Sequence, residues 1–287
     1  MKLENSKYLV TFLKEGGEIL SFLNKETGMQ YMYQGDTPFW GGKNPSLWPL
    51  VGITFDGTYE VYGKTYEFKN HGLIRYATLE CVVNDGNSVV MELKESEETL
   101  KRYPFAFTYR IAYTLEDNKL TVSYTIKNED EKKMPFTFGL HPGFRVPLCE
   151  NEVYEDYTLH FECEEHLEQM ICDPKRETSP YFIPVTMDKW NLSHDDFEKN
   201  PTLIYKGMKS EYVTLKGKEG HGVKMSLGNY PLLALWTPKR GAPFLCIEPW
   251  FSHADFEKLN IPFEERYGMM VLDSKEEFKT SYTIEVF

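Results

Sequence analysis

The sequence has no apolar run long enough to cross a bilayer, and its N-terminal stretch MKLENSKYLVTFLKE is broken by Glu4, Lys7 and Lys14. Neither a membrane span nor a signal-peptide core is expected. A basic surplus is also missing. The net charge is −12 and the pI about 5.2, and Lys/Arg residues gather only in short patches such as Lys132-Lys133 and Lys239-Arg240. Binding to phosphate backbones needs a basic surface, so nucleic acid is excluded as a partner. The cysteines (Cys81, Cys149, Cys163, Cys172, Cys246) are odd in number and irregularly spaced. That pattern argues against a disulfide framework and for a reduced, cytoplasmic protein. Helical periodicity is scarce as well; Ser193 followed by Asp196 predicts one short helix through Glu198. Absent too are a G-x-S-x-G elbow, a phosphate-cradling Gly loop with its Lys, and a G-x-G-x-x-G after a strand.

What is abundant is aromatic and alternating. Hydrophobic residues make up 41% and aromatics 15% of the 287 residues, enough for a sizeable core and suited to pleated faces. In FAFTYRIAYTLEDNKLTVSYTIKNED, the residues Phe105, Phe107, Tyr109, Ile111, Tyr113 and Leu115 alternate up to a turn at Glu116-Asp117-Asn118. Leu120, Val122, Tyr124 and Ile126 then alternate again. This is a β-hairpin pattern. EYVTLKGKEGHGVKMSLGNY and YEVYGKTYEF repeat it, and FKTSYTIEVF reads as a closing strand. No linker, low-complexity tract or internal repeat divides residues 1–287. The expectation is a single all-β domain built as a large antiparallel β-sandwich. The charged, Pro-containing segment from about Glu150 to Asn200 is expected as loops and short strands.

Two stretches place ionisable groups where they carry a free-energy cost. In MPFTFGLHPGF, alternation puts Phe136, Phe138 and Leu140 on one strand face and Thr137, Gly139 and His141 on the other. His141 thus falls at a strand end on the less bulky face, with Gly139 leaving room beside it. In APFLCIEPW, Glu248 follows the continuously apolar run Phe244–Ile247, as in a strand covered on both faces. Burial raises a carboxyl pKa and a cationic or hydrogen-bonding partner lowers it, and either tuning serves a general base. The plain alternatives are a histidine satisfied by backbone and a solvated acid where the strand surfaces. A third segment, KNHGLIRY, offers Asn70, His71 and Arg75 in a Gly-containing loop; read alone, a surface loop with an ion pair is as good an account. HFECEEH has His160, Cys163 and His166, but alternation spreads these over both faces and no second ligand pair follows, so a zinc site is not expected.

Taken together and in order, NHGLIR, FGLHPGF and CIEPW resemble the sugar-binding, His and Glu motifs of the aldose 1-epimerase (galactose mutarotase) family, and GGKNPSLWPLVG resembles the segment before them. The resemblance runs from about Gly41 to the C-terminus and is nearest to a bacterial branch close to the hexose-6-phosphate 1-epimerases. It implies a β-supersandwich whose groove binds an aldohexose, acting as an isomerase of carbohydrate metabolism. It implies Glu248 as general base on the anomeric hydroxyl and His141 as general acid on the ring oxygen, with no metal or cofactor. It assigns His71 and Arg75, beside Asn70, to holding the sugar, and Trp250 to lining the groove or packing behind Glu248. The family's substrate-binding aspartate falls loosely in SHDDFEKNPTLIY, on Asp196 or Asn200, or on neither. Trp40 stands where the phosphosugar branch has an arginine, with Lys43 nearby, which counts against a phosphorylated substrate. His-Pro-Gly-Phe, lacking the commoner aromatic, implies a more open groove beside His141. The sugar is the only partner implied, for a monomer or homodimer. A non-catalytic sugar-binding protein on the same fold is the rival reading, and a hydrolase or lyase would need a second acid near Glu248.

Overall fold

A computed structural model describes residues 1–287 except Thr37, Pro174 and Lys239 and the side chain of Lys199; one residue of the Lys239-Arg240 patch therefore lies outside the described residues. The alternating segments do form the strands expected of them. Phe107–Glu116 pairs with Lys119–Asn128 across a two-residue turn, Glu116 opposite Lys119. The turn residue Asp117 takes φ 50°, a left-handed conformation that Asp tolerates better than most residues. Thr58–Val61 and Lys64–Glu67 close through Tyr62 and Gly63, both at positive φ. Tyr212–Lys216 pairs with Gly222–Ser226, and Glu277–Val286 lies between Gly222–Ser226 and Lys119–Asn128.

Apart from the Thr58–Val61/Lys64–Glu67 hairpin, which forms a two-stranded sheet of its own, these strands belong to one 15-stranded antiparallel sheet that folds over its own core. At one end it runs from Ser46–Leu47 through Gly139–Leu140, Phe244–Trp250, Leu232–Trp236 and Thr202–Lys206 to Thr158–Ile171. It continues through the other hairpins just described and ends at Ser88–Lys94 and Glu80–Asn84. The inward residues of Phe107–Glu116 and Lys119–Asn128 (Phe107, Tyr109, Tyr113, Val122, Tyr124, Ile126) are buried, which accounts for the strict alternation read in the sequence. Among the described residues α-helix is confined to Glu97–Leu100 and Asp196–Lys199. The second begins two residues later than Ser193 capping would place it. Asp195 occupies the N-cap, and the Ser193 hydroxyl instead accepts the Asp195 N–H.

Two expectations are corrected. The segment Glu150–Asn200 is not mainly loop: Thr158–Ile171 and Tyr181–Asn191 are among the longest strands. A bulge between His160 and Glu165 breaks their pairing register, and the outward face is charged, so the alternation is hidden. The run 134–145 is not one strand with a bulky and a slim face. It is three short pairings, Met134–Phe136, Gly139–Leu140 and Gly143–Arg145, and nearly every residue in it is buried on both sides. His141 stands in the gap between the second and third.

The wall opposite the site rests on Trp48, fully buried, with ring centroids 4.6 Å from Phe107 and 5.2 Å from Tyr103. Its carbonyl accepts the Leu73 N–H at 2.8 Å, so the same residue anchors the loop that carries His71. Trp48→Ala should cost about 3–5 kcal/mol, read as a lower urea midpoint at unchanged slope; a loss below about 1 kcal/mol would show that this wall is not structurally important.

Candidate functional site

The pairing of Phe244–Trp250 with its neighbours brings His141 and Glu248 together. Gly139 lies opposite Trp250 and Gly143 opposite Cys246; continuing the same antiparallel register across the gap sets His141 opposite Glu248. The Ile247 N–H bonds the Pro142 carbonyl at 3.2 Å, so the chain stays attached while the imidazole is freed from the ladder. His141 Nε2 lies 3.3 Å from Glu248 Oε2. Both side chains are almost fully buried, at 7% and 1% exposure, and neither His141 Nδ1 nor Glu248 Oε2 has an aligned hydrogen-bond partner among the described residues. On its other side Glu248 faces Ala234, whose methyl leaves the carboxyl room.

The electrostatics follow from this burial. Desolvation pushes the Glu248 carboxyl well above its ordinary range, against the nearby Trp250 indole and Arg75. Burial first, and then the charge of Arg75 and any charging of the neighbouring His71, hold His141 well below the ordinary histidine value. The pair is therefore most stable carrying one proton between the two groups, with neither ion formed.

Asn70, His71 and Arg75 line the same cavity of about 510 Å³ as His141, Glu248 and Trp250, a size typical of small-molecule sites. His71 sits at φ 67° and Gly72 at φ 75°; a Cβ on Gly72 would meet the Trp48 carbonyl at 2.5 Å. This tight corner is where strain is commonly stored at functional loops. The Gly52 N–H donates to His71 Nδ1 at 3.0 Å. That bond fixes the neutral tautomer, leaving the proton on Nε2 as a donor to a ligand. Arg75 follows in the short 3-10 turn Ile74–Tyr76, its guanidinium 5.2 Å from the Tyr76 ring.

Asp196 is a correction. It lies in a neighbouring groove, where its carboxylate accepts the Trp190 Nε1–H at 2.8 Å, and it does not line the cavity of the His–Glu pair. Of the sequence candidates for a polar partner on that side, Asn200 does line it, joined by Asp173 and Arg176, which the motifs did not single out. The Asp173 carboxylate is already occupied by the N–H groups of Lys175, Glu177 and Thr178, and these bonds keep its pKa low.

The groove beside His141 is not more open either. Trp40 fills the space that Gly143 leaves: its ring stacks on His141 at 4.6 Å and 23°, and a Cβ on Gly143 would press on it at 3.3 Å. Trp236 meets the imidazole edge-on at 5.4 Å. With Trp250 and Phe256 these rings make most of the cavity's apolar wall, a surface suited to the C–H faces of a sugar. Lys43 does not line it.

The model for aldose 1-epimerases matches residues 1–267. The chain belongs to the aldose 1-epimerase family. It is 30% identical to the chromosomal protein LacX of Lactococcus lactis subsp. lactis over 304 aligned positions, covering 100% of this chain and 99% of that one. Among solved structures it is similar to a galactose mutarotase related enzyme from Lactobacillus acidophilus (28% identity, TM-score 0.91, 100% and 97% covered). It is also similar to a galactose mutarotase-like protein from Lactobacillus casei ATCC 334 (27% identity, TM-score 0.87, 100% and 99% covered). The all-β antiparallel architecture read from alternation is thus the mutarotase-like fold. Among the described residues no helix is long and apolar enough to cross a membrane.

The His71 environment gives a pH signature. Burial lowers its pKa from 6.5 to about 3, so below pH 6.5 the unfolded chain binds the proton that the folded one refuses. The stability due to neutral His71 is complete above pH 6.5 and is lost as pH falls toward 3, at up to about 1.4 kcal/mol per pH unit. Comparing urea midpoints of wild type and His71→Gln across this range, the wild type should lose stability faster on acidification; parallel curves would contradict a buried neutral imidazole.

Proposed function

We propose that this protein is an aldose 1-epimerase that interconverts the α and β anomers of an aldohexose. The observation carrying the proposal is the burial of His141 and Glu248 side by side, 3.3 Å apart, at the floor of a cavity walled by tryptophans and by the donors His71 and Arg75. Mutarotation removes a proton from the anomeric hydroxyl and delivers one to the ring oxygen. The two oxygens share one carbon, so the groups that serve them must be neighbours.

Glu248 as carboxylate takes the anomeric proton while His141 as imidazolium protonates the ring oxygen, and the C1–O5 bond opens to the aldehyde. Rotation about C1–C2 and the reverse transfers close the other anomer. The pair holds one proton before and after, which is the protonation its burial favours. In the ligand-free protein that proton rests on Glu248. A bound anomeric hydroxyl, hydrogen-bonding to the carboxyl together with the Trp250 indole, favours the carboxylate, and the stacked face of Trp40 favours the imidazolium. His71 Nε2–H and Arg75 hold hydroxyls and fix which face of the sugar meets the pair. The hydrolase reading lacks support, because Asp173, the other acid in the wall, is committed to backbone amides.

The direct test follows optical rotation of freshly dissolved α-glucose and α-galactose. Glu248→Gln and His141→Asn should each lower kcat by about 10²–10⁴ while sugar binding, measured by calorimetry, survives. Binding without acceleration by wild type for any aldose would instead establish a non-catalytic sugar-binding protein.

The pH profile of kcat/KM should show a plateau for the one-proton pair. Its acid limb, where His141 takes a second proton, should fall below the usual histidine range. Its alkaline limb, where Glu248 gives up the last proton, should lie above the usual carboxylate range. Removing the stacked ring in Trp40→Ala should move the acid limb further down and lower kcat about tenfold, whereas Trp40→Phe should keep both near wild type. An unmoved limb in the alanine variant would remove Trp40 from the proton chemistry.

A further inference from the structure

Directly behind the pair lies a group that the proposed reaction does not use. Cys246 shares a strand face with Glu248 two residues on, lies opposite Gly143 on one neighbouring strand and opposite Trp236 on the other, and is fully buried. Its thiol, a nitrogen of His141 and a carboxyl oxygen of Glu248 all lie within 4.8 Å of one another. A sulfur, an imidazole nitrogen and a carboxylate are a ligand set that zinc-class cations favour, and bound ligand atoms stand some 3–4 Å apart around a tetrahedral ion, as bond lengths of about 2.0–2.3 Å require. Buried Glu248 Oε2 has no aligned hydrogen-bond partner, so a lone pair is available. The cavity in front of Glu248 and His141 supplies an open fourth position for water or a sugar hydroxyl.

We propose that Cys246, His141 and Glu248 form a three-ligand site for a thiophilic divalent cation of the zinc class, and that occupying it shuts off the proton-transfer pair. Coordination would replace the thiol proton and the single proton of the His–Glu pair, so two protons leave to solvent as one M²⁺ binds, with no redox change. The metal would hold the lone pairs that the base and acid need, making the site inhibitory. That consequence rests on the epimerase reading; the binding itself does not.

His160, Cys163 and His166, exposed on the bulged strand Thr158–Ile171, serve as an internal control for adventitious binding at surface side chains. The test is a titration of metal-stripped full-length protein with Co²⁺, watching the near-ultraviolet thiolate-to-cobalt charge-transfer band and the visible bands of a four-coordinate ion. Wild type should saturate at one ion per chain, Zn²⁺ should displace the signal, and Cys246→Ala should abolish the charge-transfer band while Cys163→Ala and Cys172→Ala keep it. Cys246→Ser, nearly isosteric, guards against a folding defect: far-ultraviolet circular dichroism like wild type without the band would support the site. No band in wild type, or a band that survives Cys246→Ala or Cys246→Ser, would overturn it. In the optical-rotation assay, Zn²⁺ should slow wild type reversibly on adding chelator. Cys246→Ala, normalised to its own metal-free rate, should need at least tenfold more Zn²⁺. If no aldose is turned over, the cobalt titration still decides the site, so the two readings fail separately.

Discussion

The antiparallel register between Phe244–Trp250 and the interrupted segment Gly139–Arg145 is the constraint from which the rest of the site follows. Pairings on either side of the gap, at Gly139 and Gly143, leave no slack in which His141 can drift away from Glu248. An unbroken ladder would keep the same residues opposite each other, but it would tie up the backbone at His141 and point the ring by pleat alone. The Pro142 interruption releases the imidazole while the bond from Ile247 to the Pro142 carbonyl keeps the register. Because every residue of Phe244–Trp250 is buried, the acid delivered by this register is desolvated. Position and pKa thus have one cause.

Residue size around that register does the remaining shaping. A Cβ on Gly139 would meet the Trp250 ring at 2.8 Å, and one on Gly143 would press on Trp40, so the two small residues flanking His141 are what let two indoles approach the pair. Gly52 does the same for the opposite wall: its N–H reaches His71 Nδ1, and a side chain there would collide with Ala254 at 2.5–2.9 Å. Close packing then carries energetic weight beyond stability. Rings pressed against His141 exclude water, and the exclusion raises the value of each remaining dipole from Trp250, His71 and Arg75.

Much of this was legible in the sequence wherever one residue pattern answered to one surface. Alternation in Phe105–Ile126 reports a buried face and an exposed face, so both strands and their turn could be read. Glu248 after four apolar residues could be read as buried for the same reason. The signal failed where burial was two-sided or where an outer face was charged. MPFTFGLHPGF is buried throughout, so parity carried no information and the gap at His141 was invisible. The charges of HFECEEH hid a long strand because a bulge shifts their phase. The site's long-range partners were least legible: Trp40 reaches His141 from about a hundred residues away in sequence, and the choice of Asn200 over Asp196 depends on which side of Asp196–Lys199 the chain turns. Local pattern holds no information about such contacts.

A pair that is buried, close and unpaired with any fixed ion is an expensive arrangement, and the expense constrains what the site can do. With two protons it would hold an imidazolium in a low-dielectric pocket that Arg75 already makes positive; with none it would hold a bare carboxylate beside apolar rings. The one-proton state avoids both costs, and it is also the state in which a proton can be taken at one oxygen and given at another without any net charge entering or leaving the pocket. The same desolvation that makes the pair unstable as separate ions therefore makes it suited to a concerted exchange on a neutral ligand. A charged group placed against the pair would forfeit that balance, so the floor of the cavity is suited to neutral groups.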